Sequence, residues 1–234
     1  MNQNASALYL VIDQGGQSSR ALVFNRQGKI LSQASVAIET FRQAPDRVEH
    51  SAVEILSSIN KAIEEATATI DVKALECAGL ACQRSSIVCW DKLNGTALSP
   101  VLSWQDRRAA DTLVRLSSQA DTIHRLTGLF LSPHYGASKI RWCLDHLSEV
   151  RDAHARGRLA CGPLSSYILF NLLEEQKTWL IPSVPHARCS GTCNHVTGIK
   201  HCSNSLTSRR TVYRAVLQIS LIMVTYASIH MQCR

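Results

Sequence analysis

The chain has 234 residues, 45% hydrophobic and 18% charged, enough apolar material for one large domain or two small ones. Its net charge of +7 (25 Lys and Arg against 18 Asp and Glu) would suit a nucleic-acid partner, but its distribution argues against one. Residues 1–176 hold 18 bases and 18 acids, whereas residues 177–234 hold the other 7 bases, no acid at all, and four each of the nine Cys and nine His.

The N-terminus, MNQNASALYL, lacks the basic segment of a secretory leader. A cytoplasmic protein with reduced cysteines is therefore expected. Leu8–Ile12 is a short apolar run rich in β-branched residues, long enough for a buried strand and too short for a helix. Asp13 ends it, and Gln14-Gly15-Gly16-Gln17 turns the chain. Ser18-Ser19-Arg20 then leads into Ala21–Phe24, and a second turn around Gly28 into Ile30–Val36. Such a β-meander carries readable chemistry in its first turn. Two glycines let backbone N–H groups converge on an anion. Ser18 and Ser19 add hydroxyl donors, Arg20 a cationic fork, and Asp13 a carboxylate for a metal ion or a water. On spacing alone, a hairpin with a polar loop explains the same residues.

Ser51 with Glu54 spells a capping box, followed by Ile55, Ile59, Ala62, Ile63 and Ala66 at helical spacing. Ala74–Ala81 reads as a strand reaching Cys82-Gln83-Arg84-Ser85-Ser86, and Ile87–Trp90 as another, with a hairpin turn at Asp91–Gly95. Ala97–Ser103 leads to Trp104-Gln105-Asp106-Arg107-Arg108. A polyol or sugar needs hydrogen bonds to adjacent hydroxyls and an apolar wall for its C–H face. Arg84 could donate, Asp106 accept and Trp104 form the wall; a surface salt bridge beside a core Trp is the alternative. Further on, Asp111–Gln119 reads as a helix with Leu113 and Leu116 inward, and Ile140–Leu147 as another after a loop containing His134 and Tyr135.

Four of these stretches, in this order, resemble the FGGY family of carbohydrate kinases, nearest to its glycerol kinase branch. They are Asp-Gln-Gly-x-x-Ser-Ser-Arg-Ala from Asp13, Gln83-Arg84 with Trp104-Gln105-Asp106-Arg107-Arg108, Thr127-Gly128-Leu129 with Pro133 and Lys139, and Arg158–Pro163 with Leu164–Leu173, where Gly162, Ser166, Tyr167 and Ile168 resemble the family's strand-to-helix step. The resemblance covers about Leu8 to Glu175. It implies an α/β fold similar to actin and ribonuclease H, with a mixed sheet flanked by helices, of which residues 1–176 would be the N-terminal half. It implies ATP and Mg2+ as cofactors, with Asp13, Gly15, Gly16, Gln17, Ser18, Ser19 and Arg20 around the phosphates. It implies a polyol or sugar held by Gln83, Arg84, Ser85, Trp104, Asp106, His134 and Tyr135, and no nucleic-acid or membrane partner. Three departures are visible: Gly16 and Gln17 stand where glycerol kinases typically carry threonines, Ser85 where they usually carry glutamate, and His134 where they generally carry tyrosine after the proline.

The family's general base lies on a Gly-Asp-Gln segment of a second domain, and no such segment follows residue 176. Little activity is therefore expected of this chain alone, and a non-catalytic sugar-binding module is the alternative. Residues 177–234 form an unassigned, irregular tail. Cys189, Cys193, His195, His201 and Cys202 offer zinc donors at no standard spacing, and Val216–Ile229 is too short and interrupted to cross a bilayer. The compositional break favours out-of-frame or degenerate coding.

Overall fold

The computed structural model describes residues 7–173. The tail, with its possible zinc donors and its apolar run, lies outside the described residues. The described chain forms two compact units, residues 7–37 with 57–82, and residues 38–56 with 83–173.

The first unit holds β1 (Leu8–Gln14), β2 (Ser18–Asn25), β3 (Ile30–Ala37) and β6 (Leu75–Cys82), in the order β3-β2-β1-β6. β1 pairs antiparallel with β2 and parallel with β6, so the sheet is mixed, as expected. The alternation of small and branched apolar residues sets its core face: Leu10, Ile12, Ala21 and Val23 are all buried. Asn25 shapes the β2–β3 turn by accepting from the N–H groups of Gln27 (3.0 Å) and Lys29 (2.9 Å), and Gly28 takes the positive φ that the turn requires. The meander's first turn is tighter than its sequence suggests. Ser18, Ser19 and Arg20 belong to β2, in register with β1 through Asp13↔Arg20 and Gln14↔Ser19. Only Gly15, Gly16 and Gln17 lie between the strands.

α1 (Ala52–Thr67) begins as its capping signal predicts, with the Glu54 N–H donating to Ser51 Oγ at 3.2 Å. The reciprocal half of the box is replaced: Glu54 Oε1 accepts from the Glu39 N–H at 3.0 Å. Ile55, Ile59, Ala62, Ile63 and Ala66 are all buried, forming the apolar stripe expected of them.

The second unit contains a sheet that sequence reading does not foresee, of order β4-β5-β8-β7-β9 and antiparallel throughout. Its strands are β4 (Phe41–Ala44), β5 (Arg47–His50), β7 (Ile87–Asp91), β8 (Val101–Leu102) and β9 (Leu159–Pro163). β4 and β5 are too short and polar to announce themselves, and Pro45-Asp46 turns one into the other. β7 is buried at all five positions because helices cover both of its faces. Cys89 clusters with Cys143 of α4 (Gly136–His146), Val150 of α5 (Ser148–Ala155) and half-buried Cys161 of β9. Trp90 points the other way, its ring centroid 5.7 Å from Tyr167 and 6.0 Å from Phe170 of α6 (Leu164–Leu172). The long helix expected over Asp111–Gln119 is instead α2 (Ala110–Val114), a 3-10 turn (Ser117–Gln119) and α3 (Ala120–Thr127). Leu113 and Leu116 are only half-buried there, and Val114 is 71% exposed, so too little apolar surface is buried to hold one continuous helix.

Candidate functional site

In the first unit, the hairpin between β1 and β2 closes on itself: the Gly15 N–H donates to the Ser18 C=O at 2.9 Å. Gln14 is buried and donates from Nε2 to the Gly15 C=O at 2.7 Å. Strand alternation then sorts the polar side chains. Ser19 is fully buried, its hydroxyl 2.8 Å from that of Ser58 on α1, so it anchors the strand. On the opposite face, the Arg20 guanidinium lies 2.5 Å from the half-exposed Asp13 carboxylate. An open groove on that face is lined by Arg20, Leu22, Gln33, Ala34 and Ser35. A Cβ added at Gly16 would meet nothing within 4 Å, so the tip is unobstructed. The hairpin thus offers an accessible carboxylate, an accessible guanidinium and a glycine tip. That donor set fits a phosphate with its metal ion: Asp13 suits the cation and Arg20 the phosphate oxygens.

In the second unit, three loops bring together Gln83, Arg84, Ser85, Trp104, His134 and Tyr135. Ser86 Oγ donates to Gln83 Oε1 at 2.8 Å and accepts the Trp104 N–H at 2.9 Å, so the first loop fixes the second. The Trp104 ring remains 43% exposed, with the His134 ring edge-on at 6.0 Å and Tyr135 5.4 Å beyond His134. Burial lowers the His134 pKa, and the charges of Lys139 and Arg84 push it the same way against a hydrogen bond that the imidazole gives to the Trp104 backbone carbonyl. Arg84 is exposed. Ser85 is buried at φ 65°, the one non-glycine positive φ among the described residues. A side chain held there marks a loop whose surroundings over-determine it.

Asp106, expected to accept hydrogen bonds from substrate, faces inward. It is fully buried, and Oδ2 accepts the Val48 N–H (2.8 Å) and Arg108 Nη2 (2.7 Å), while Oδ1 accepts the Arg108 N–H (3.1 Å) and Nε (2.9 Å). Arg108 also reaches Glu49 of β5 at 2.6 Å, and its guanidinium stacks 4.8 Å from the Trp142 ring. Burial would lower the Arg108 pKa, but the two carboxylates outweigh it and raise it. Asp106 therefore ties the loop to β5.

Sequence reasoning gave no role to Lys139. It is completely buried, and Nζ donates to the carbonyls of Ser85 (3.3 Å), Ser103 (2.8 Å) and His134 (3.0 Å). Burial brings its pKa down to about 8, with the Asp106 charge opposing the shift and the Arg108 charge adding to it. Its signal in the sequence is its place in the third family-like stretch, which marks the residue without saying what its ammonium holds.

The family model for the N-terminal domain of the FGGY carbohydrate kinases matches residues 8–179. Among curated proteins, a glycerol kinase of Parabacteroides distasonis is 37% identical over 167 residues, covering 70% of this chain and 34% of its own. A glycerol kinase of Trichlorobacter lovleyi is 39% identical over 168 residues, with the same coverage of 70% and 34%. The chain spans about a third of the length of these relatives. Among solved structures, Plasmodium falciparum glycerol kinase with ADP superposes with a TM-score of 0.67 at 22% identity, over 72% of this chain and 34% of that one. A xylulose kinase from Brucella ovis gives 0.60 at 21% identity, over 70% and 34%. These likenesses bear out the expected actin-like, ribonuclease H-like fold and its mixed sheet.

Proposed function

The chain belongs to the FGGY family of carbohydrate kinases, and on that premise we propose that it serves the ATP-dependent phosphorylation of a polyol or sugar hydroxyl. The observation that carries this is the grouping of Arg84, Trp104, His134 and Tyr135 in one unit. An exposed aromatic face, a guanidinium and two polar rings suit a small polyhydroxylated ligand. Arg84 donates to hydroxyl oxygens and Trp104 packs against the C–H face. His134 and Tyr135 close the side, with Gln83 and Ser85 shaping the loop behind. Trp104 and His134 are placed to exclude water from one side of the ligand.

In the hairpin, Asp13 would hold Mg2+ and Arg20 the phosphate oxygens, with Gly15, Gly16, Gln17 and Ser18 at the tip. Bound there, the ion would neutralise phosphate charge during transfer. Separating Asp13 from Arg20 frees each for its ligand. Because the pair is half-exposed, little desolvation opposes the exchange.

A binding role without turnover is favoured for this sequence on its own by one observation. The proposed sugar wall contains no carboxylate, Asp106 is occupied internally, and no Asp or Glu follows Glu175 in the sequence. A carboxylate base for the substrate hydroxyl is thus supplied neither by that wall nor by residues 176–234. The location proposed is the cytoplasm, in keeping with the absence, among the described residues, of any helix long and apolar enough to cross a membrane. Titrating glycerol and a panel of pentoses against tryptophan fluorescence tests the assignment. Weak, millimolar-range binding that Trp104→Phe or Arg84→Ala abolishes is expected, since a wall open on one side leaves its ligand wet. Binding insensitive to both variants would overturn it.

A further inference from the structure

Three separate stretches of chain, 83–86, 103–106 and 132–135, supply the wall just described, and a single atom joins them. Lys139 Nζ has three N–H donors, and each meets one backbone carbonyl, from Ser85, Ser103 and His134 in turn. These acceptors are uncharged. A buried ammonium without a carboxylate bonded to it is costly, and a methionine would fill the same space without that cost. The nearest acid, Asp106, already serves Arg108 and the Val48 N–H. One held carbonyl is that of Ser85, the residue in the left-handed conformation. The charge is therefore retained in a place where packing alone does not need it.

We infer that Lys139 is a positioning residue whose ammonium fixes the mutual spacing of the three loops, and through them the presentation of Arg84, Trp104 and His134 to a hydroxylated ligand. The second half of this inference rests on the polyol reading above. The charged and titratable groups acting on the ammonium are Asp106 of the second stretch, Arg108 just beyond it, and His134 of the third. With its pKa near 8, the amine loses one N–H above that pH and cannot serve all three carbonyls.

The test uses the full chain with Lys139→Met and Lys139→Arg, read by hydrogen exchange and by glycerol titration. In Lys139→Met, amides of 103–106 and 132–136 should exchange at least tenfold faster while β7 and β9 keep their protection, and glycerol affinity should fall at least tenfold. Unchanged loop exchange overturns the inference whatever glycerol does, and loosened loops with unaltered glycerol affinity overturn the positioning role. If wild type does not respond to glycerol but Lys139→Met loosens the loops, the polyol reading fails and the fastening stands. Should Lys139→Met not fold, wild type is compared at pH 7 and pH 9.5. Loop protection, corrected for intrinsic rates, should drop relative to β7 and β9, and Lys139→Arg should remove that dependence. A constant ratio in wild type overturns the inference.

Discussion

Ser85 and His50 show how much a single side chain's setting decides. Ser85 sits at φ 65°, where a β-branched residue clashes with its own backbone. Ser85→Val should cost roughly 1–3 kcal/mol, while Ser85→Gly should stay near wild type, because relieved strain offsets the extra chain freedom of glycine. Urea midpoints of the two variants check this; equal losses would show that the strain is not real. His50 is buried at the end of β5 with Nδ1 3.1 Å from the Glu39 C=O, and burial lowers its pKa from 6.5 despite that hydrogen bond and the nearby Glu54. Between the folded and unfolded pKa values the unfolded chain binds the extra proton. Stability is therefore complete above about pH 6.5 and is lost as pH falls below it. Thermal melts from pH 7 to 5 should show a steeper decline for wild type than for His50→Gln.

At the scale of elements, the Glu49–Arg108–Asp106 cluster holds the second sheet's β5 to the loop that follows β8. Arg108→Met would leave the buried Asp106 and the partly buried Glu49 without their cation, at a cost of about 3–5 kcal/mol, measurable by chemical denaturation. A loss below 1 kcal/mol would mean that the carboxylates reach water or take up protons easily. This cluster also marks where the sequence stops being legible. Trp104-Gln105-Asp106-Arg107-Arg108 is recognisable as a motif, but whether an Asp beside an Arg faces a ligand or the protein depends on β5. Glu49 and Val48 lie more than fifty residues away, in a strand of four residues with no periodic signature. The first sheet was legible because its strands are long and apolar and its parallel partner is an apolar run as well. The turn residues Ser18, Ser19 and Arg20 were misplaced by a few positions for a related reason. Cross-strand pairing with β1, invisible to local pattern, extends β2 back to Ser18.

For the molecule as a whole, the family is settled by the match over residues 8–179, and the chain covers about a third of the relatives' length. The purified 234-residue chain should produce no glycerol-dependent ADP above background. Adding glycerol, xylulose or other pentoses should not change this, since no carboxylate base follows Glu175. Coupled ADP assays check the expectation. Polyol-dependent turnover that disappears in Asp13→Ala would show that the chain finds its base within these residues and that the binding-only account is wrong.

The way the chain threads its two units has a consequence for biosynthesis. The first unit is interrupted by residues 38–56 of the second and is completed only when β6 lies beside β1, about sixty-seven positions downstream of it. The β4–β5 hairpin emerges from the ribosome before that happens, yet its β5 edge must wait for β8 to be paired. For the interval between translation of His50 and of Asp106, Val48 and His50, both buried in the finished sheet, are without the strand that pairs with them. Nascent chains stalled in that window should engage chaperones most strongly, and release from them should coincide with the appearance of β8.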